Sequence, residues 1–460
     1  MIPVVLLILF GFACVWLILG GLKRRGGIFE YSFLAGCGLF GLLFMQAVGI
    51  VRNPGMAPEA GVCKALIMSS LCTAALYLGW MAPMRTQRAP SSPSSPISGK
   101  WLYRIGVACI LLGLYGAVKL AGLKGGVMGL NAAPGRHIVI FRGLPVMYVF
   151  FSCYSYLGLV LVTLTALRLR SWLLAAPAAV PVVVSLGNIV LSGRRSEFVL
   201  LGVALGCALF FGRNVAPARG VALALAPLAM AAMFVAPEYR SNTLSGRWGN
   251  VRQISTSNTI QHVLSGSEQE FWSMAYLTEI TDTQGLYQFG VGFYNTFVQY
   301  FVPRLIVGTD FKDNLYVDAP NVGTQANSLG WVIPEGMVPT GPFSVFEQFW
   351  YFGAACYFFL ARWLKRHWIR ALAGDFWSQV VYAVTVTFAV SAVTNDFFSI
   401  YNPVFMFIVP VTVLSRMRGS MRQMAQSYAY SAPVRSQPST KPQSPTRPVL
   451  TKRAQQGQNL

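Results

Sequence analysis

Residues 191–201, LSGRRSEFVLL, set two arginines and a glutamate between two long apolar runs. A guanidinium keeps its charge at any physiological pH and grips phosphate oxygens through two parallel N–H bonds. A carboxylate two or three residues on can take a proton from a hydroxyl. Arg194, Arg195 and Glu197 therefore pair anion binding with acid–base chemistry. The plainer reading makes them solvated boundary charges in a short loop, with Glu197 a salt-bridge partner for the arginines. Ionised groups at the end of a membrane-crossing helix are costly unless they face a polar cavity, pair, or reach water.

A second group of arginines, Arg240, Arg247 and Arg252, lies in EYRSNTLSGRWGNVR. Arg240 hugs the end of an apolar run, whereas Arg247 and Arg252 read equally as surface charges. His262 and Glu335 join Glu197 as candidate bases, histidine because its ordinary pKa is near neutrality. A lone loop histidine is also a common surface residue. Glu347, in FSVFEQFWYFG, and Asp396, in AVTNDFFSIYNP, are candidates for substrate contact. Each has a local alternative: the dipole of a helix N-terminus favours a glutamate, and Asn-Asp favours a turn.

The chain contains no Walker A sequence, GxSxG, HExxH or DxD. ATP-driven transport is not indicated. A sugar transferase built this way needs a donor that carries its own leaving group. Three separated histidines and eight scattered cysteines with no CxxC give neither zinc spacing nor a disulfide framework. No metal and no cofactor is expected.

Long apolar runs must position these groups. Of 460 residues, 54% are hydrophobic and 11% charged, with a mean hydropathy of +0.52. A soluble protein carries about 25% charged residues. The runs suit a hydrocarbon core of about 30 Å and predict an all-α polytopic membrane protein. Eleven spans are expected: 2–22, 29–50, 64–83, 101–121, 144–167, 171–191, 197–212, 219–236, 343–361, 376–393 and 401–415. The first is followed by Lys23, Arg24 and Arg25 and preceded by no basic residue. That polarity predicts a retained helix rather than a cleaved signal peptide.

With the N-terminus outside, 23 of the 36 basic residues and two of the 15 acids fall on the inner side. The inner side then carries the whole net charge of +21 and the outer side none. Anionic lipid accounts for the basic balance, with no need for nucleic acid. The expected organisation is a membrane domain over 1–236, a large outer loop over 237–342 holding short amphipathic helices, three more spans over 343–415, and a basic tail over 416–460. The tail, rich in Ser, Pro and Gln and without acids beyond Met421, predicts cytoplasmic disorder. The 191–201 turn falls on the outer side.

These features together resemble the oligosaccharide repeat-unit polymerases, the Wzy-type O-antigen and exopolysaccharide polymerases. The resemblance rests on Gly193-Arg194-Arg195 running into Leu200 and Leu201, on the large outer loop, and on Glu347 shortly before Phe352-Gly353. The related O-antigen ligases share this plan. A ligase would carry its histidine late in the loop, and His262 is early.

The resemblance implies metal-independent, inverting glycosyl transfer at the periplasmic face of a bacterial inner membrane. The donor would be a glycan on undecaprenyl diphosphate, the acceptor a second lipid-linked repeat unit. Arg194, Arg195, Arg240 and Arg247 would hold the diphosphate, and Glu197, Glu335 or His262 would act as base. A chain-length regulator and a flippase are the implied protein partners. The alternatives are an O-antigen ligase and, in another class, a transporter of lipid-linked oligosaccharides. Such a transporter more often carries charges at mid-span, and here those are almost absent.

Overall fold

The computed structural model describes residues 1–24, 26–84, 99–123, 147–193, 195–218, 220–221, 231–232, 234–236, 238–239, 242–243, 247–255, 257, 261, 269–302, 304–320, 322–328, 339–393 and 395–400. Among these residues there are helices and turns and no strand. Seven helical segments are long and apolar enough to cross a membrane. They lie in Ile2–Leu22 (α1), Tyr31–Arg52 (α2), Glu59–Met81 (α3), Gly99–Leu123 (α4), Met147–Arg168 (α5), Leu173–Val190 and Arg195–Arg213 (α7). The sixth opens with a 3-10 segment, Leu173–Ala178, and continues as Ala179–Ser192 (α6). The chain is an all-α, multi-pass membrane protein. These seven coincide with the first seven expected spans to within a few residues. Most of 219–236 and all of 401–415 lie outside the described residues.

Among the described residues the elements that follow include Gln269–Gln284 (α8), Val291–Phe301 (α9), Arg304–Val307 (α10), Thr309–Asn314 (α11), Val322–Ser328 (α12), Gly341–Phe349 (α13), Ala354–Leu372 (α14) and Phe376–Ser391 (α15). The ninth expected span, 343–361, is therefore not one helix. Thr340 caps α13, its Oγ1 accepting from the Phe343 N–H at 3.4 Å. The helix stops at Trp350, which takes a left-handed φ of 53°, and a 3-10 turn, Trp350–Gly353, leads into α14. A bulky residue at positive φ is uncommon and gives no signal in a hydropathy profile.

Helix α8 docks along α3. Phe271, Met274, Ala275 and Thr278 of α8 are buried. Gln46 of α2 donates to Glu270 at 2.8 Å and accepts from the Phe271 N–H at 2.9 Å. Lys64 of α3 lies 3.0 Å from Glu279 and 2.5 Å from Asp282.

Polar contacts sort the helix ends into two groups. One joins Lys64 to α8, Tyr239 to the Val190 carbonyl, and Ser344 to Asp396. The other joins Arg168 to Gln379, Lys365 to the Ala82 carbonyl, and Arg24 to Glu30.

The most extensive helix pairing is α4 with α5. Close approach of two helices in lipid needs small residues, because packing rather than water exclusion holds them. At Gly113 a Cβ would sit 2.6 Å from the backbone nitrogen of Ser155. Gly113→Leu should force α4 off α5 and lower stability by about 1–3 kcal/mol. Thermal unfolding of the purified protein measures this, with Gly122→Leu, a position with open space around it, as control.

Candidate functional site

Helix α6 ends at Gly193, whose φ of 59° suits a residue without a Cβ. Its N–H closes the helix on the Ile189 carbonyl at 2.9 Å. The chain turns at once into α7, which places Glu197 in that helix's first turn. Glu197 is half-buried. It faces a cavity of about 140 Å³ between α4, α5, α6, α7 and α15. Polar groups on three walls come from Ser152 and Tyr156 of α5, Ser185 and Asn188 of α6, and Glu197 itself. Phe388 of α15 and Leu114 of α4 supply apolar walls.

The hydroxyl of Tyr156 donates to Glu197 Oε2. Its oxygen lies 3.3 Å from Ser185 Oγ. Tyr156 has one proton, so with that proton on Glu197 the serine must donate to the tyrosine. The result is a directed chain, Ser185 to Tyr156 to Glu197. Tyr156 is only 8% exposed, and the edge-on ring of Phe388, 6.1 Å away, fixes its plane. A carboxylate with one oxygen held in this way is oriented, and Oε1 has no hydrogen-bond partner among the described side chains.

The other expected residues divide into three sets. Arg194, Arg240, His262 and Glu335 lie outside the described residues, and Arg195 is described only as the first residue of α7. Arg247 is exposed and opens the 3-10 turn Trp248–Gln253, its N–H donating to the Asn242 carbonyl at 2.9 Å. Tyr239 draws the opening of the large loop to the arginine turn, because its hydroxyl donates to the Val190 carbonyl at 2.6 Å.

Glu347 and Asp396 belong to a separate polar layer. Glu347 accepts from Gln288 at 2.8 Å, and Gln288 accepts from Gln348 at 2.7 Å. Gln348 in turn accepts from the Gly290 and Gly292 N–H groups, both at 3.1 Å. This ties the segment before α9 to α13. Asp396 accepts from Ser344 at 2.6 Å and from the Phe398 N–H at 3.1 Å, opening the 3-10 turn Phe397–Ile400. Both acids thus make framework contacts, and neither lines the Glu197 cavity.

Sequence reasoning passed over Tyr156, Ser185 and Asn188. Their signal was spacing: Ser152 and Tyr156 are four apart, Ser185 and Asn188 three apart, so each pair shares one helix face. It also passed over the Lys64, Glu279 and Asp282 cluster. Burial alone would raise the Asp282 carboxyl, but hydrogen bonds from Lys64 and Tyr287 and the charge of Lys64 outweigh it and hold Asp282 below the ordinary range. The Tyr287 hydroxyl is pushed up by burial first and then by its bond to Asp282.

Among the described residues no group of three or more His, Cys, Asp or Glu side chains is placed to hold a metal. Fold and site together define a multi-pass, all-α membrane protein with a carboxylate-bearing cavity at one end of its helices. No family model, curated protein or solved structure matches the chain.

Proposed function

We propose that the chain is a polysaccharide polymerase that joins lipid-linked oligosaccharide repeat units at the outer face of a bacterial inner membrane. On this reading the protein has eleven spans, with its N-terminus outside and its C-terminus inside. The supporting observation is the carboxylate of Glu197, held by Tyr156 in a polar cavity near the start of α7, whose first residue is Arg195.

The chemistry is a single displacement. Glu197 takes the proton of the acceptor sugar hydroxyl. The freed oxygen attacks the anomeric carbon of the donor glycan, and the bond from that carbon to undecaprenyl diphosphate breaks. The arginines of the turn, with Arg240 and Arg247 from the loop, receive the charge that develops on the leaving diphosphate. Attack opposite the leaving group inverts the anomeric centre. In this mechanism the cavity takes the reacting hydroxyl, and the large loop contributes to the sugar site. Membrane lipid, a flippase and a chain-length regulator complete the proposed surroundings.

The test is the product made by the purified protein in liposomes from lipid-linked repeat units alone. A ladder of lengthened lipid-linked chains is expected. Transfer only to a lipid A core would make the protein a ligase, and movement across the bilayer without elongation would make it a transporter. Either result would overturn the proposal.

A further inference from the structure

A second cavity, of about 560 Å³, lies at the opposite ends of the same helices. Helices α5 and α7 each contribute to the Glu197 cavity near their first turns and to this one at their last residues. Twelve residues of α5 separate Tyr156 from Arg168, about 18 Å of rise, so the two sites are distinct. The second cavity is lined by Arg168, Arg170, Arg213 and Asn214, with the backbone of Gly212 and the ring of Phe211. No acidic side chain lines it. The nearest acid that acts on Arg168, Asp375, is engaged with the N–H and hydroxyl of Ser378 at the start of α15.

Arg168, Arg170, Arg213 and Asn214 are all exposed, and three like charges gathered around one open cleft make it attractive to an anion. Two are already held in place. Arg168 donates to Gln379 Oε1 at 2.9 Å and lies 4.6 Å over the Phe376 ring. Arg213 stands over the Trp172 ring at 5.7 Å. The remaining two polar wall residues, Arg170 and Asn214, take left-handed φ values of 53° and 52°. Both lie just past a helix C-terminus, where a left-handed residue closes the helix, so each is placed by the end of its own helix.

We infer that this cavity is a binding site for a phosphate group, supplied either by the headgroup of an anionic phospholipid or by a free phosphate. Planar guanidinium forks match phosphate oxygens, and cations at helix C-terminal ends are favoured by the dipole before any ligand arrives. The site is independent of the proposed transferase chemistry at the other end.

The full chain, reconstituted in nanodiscs, tests this. In phosphatidylglycerol discs, native mass spectrometry of wild type should retain phosphatidylglycerol after disc removal. The double variant Arg170→Gln with Arg213→Gln should lose that retention by about tenfold. The double variant Arg362→Gln with Arg366→Gln, exposed basic residues outside the cavity, should keep it. In phosphatidylcholine discs, inorganic phosphate added to wild type measures the free-phosphate source through a thermal shift that the cavity variant loses. Retention of lipid or a shift with phosphate, confined to chains with an intact cavity, supports the site and names its source. Equal losses in both double variants would mean diffuse charge attraction and would overturn it, as would a wild type that responds to neither probe.

Discussion

Glu197→Gln should cut chain elongation by about 10²–10⁴-fold, the usual contribution of a positioned general base, while the protein inserts and unfolds as before. Glutamine keeps the shape and can still accept from Tyr156, so the cavity wall survives. What it cannot do is take a proton. If Glu197 only paired with the neighbouring arginines, Glu197→Gln would weaken donor binding and raise KM more than it lowers kcat. A base shows the opposite split, with kcat falling at saturating substrate. Tyr156→Phe removes the hydroxyl between Ser185 and Glu197. It should cost less than Glu197→Gln, because the carboxylate remains and only its orientation is released. A Glu197→Gln protein that elongates at the wild-type rate would remove the base from the mechanism and leave the cavity without a catalytic role.

The hydropathy runs made seven helices legible because burial in lipid demands about 20 apolar residues in succession and little else. That demand says nothing about what faces what. The Glu197 cavity depends on five helices converging, and Tyr156, Ser185 and Asn188 look unremarkable inside apolar runs because they carry no charge. The charged turn at 191–201 was visible from the sequence for the converse reason. The break at Trp350 escaped because it is a dihedral event between two apolar stretches. The docking of α8 escaped because its contact face mixes Phe271 and Met274 with Thr278 and Thr281, so it reads as a weakly amphipathic loop helix. Thr281 Oγ1 donates to the Leu277 carbonyl at 2.7 Å, whereas Thr278 Oγ1 is buried with no hydrogen-bond partner among the described residues. Glu347 and Asp396 were legible as unusual residues, yet their contacts hold loops to helices.

Lys64 gives the second large effect. Its ammonium sits between Glu279 and Asp282, with the three side chains 21–31% exposed. Lys64→Met leaves two carboxylates facing each other on one side of α8. Breaking a buried pair in this way costs about 3–5 kcal/mol, and partial exposure to water brings the expected loss to about 2–4 kcal/mol. The loss should appear as a lowered melting temperature and as faster hydrogen exchange across Gln269–Gln284. Adding Glu279→Gln and Asp282→Asn to the same chain removes the uncompensated charge and should restore most of the stability. The pH dependence separates this electrostatic cause from a simple loss of packing. In wild type Asp282 is held below its ordinary range by Lys64 and Tyr287. A depressed carboxylate contributes stability that is complete above its unfolded value, about 4, and is lost as pH falls through the folded value. Wild type should therefore hold its melting temperature from neutrality down to about pH 4 so far as this cluster governs it. In Lys64→Met the cation is gone, and burial and mutual repulsion both favour protonation of one acid. That variant should gain stability as pH falls over the same range, whereas a variant weakened only by lost packing would show no such recovery.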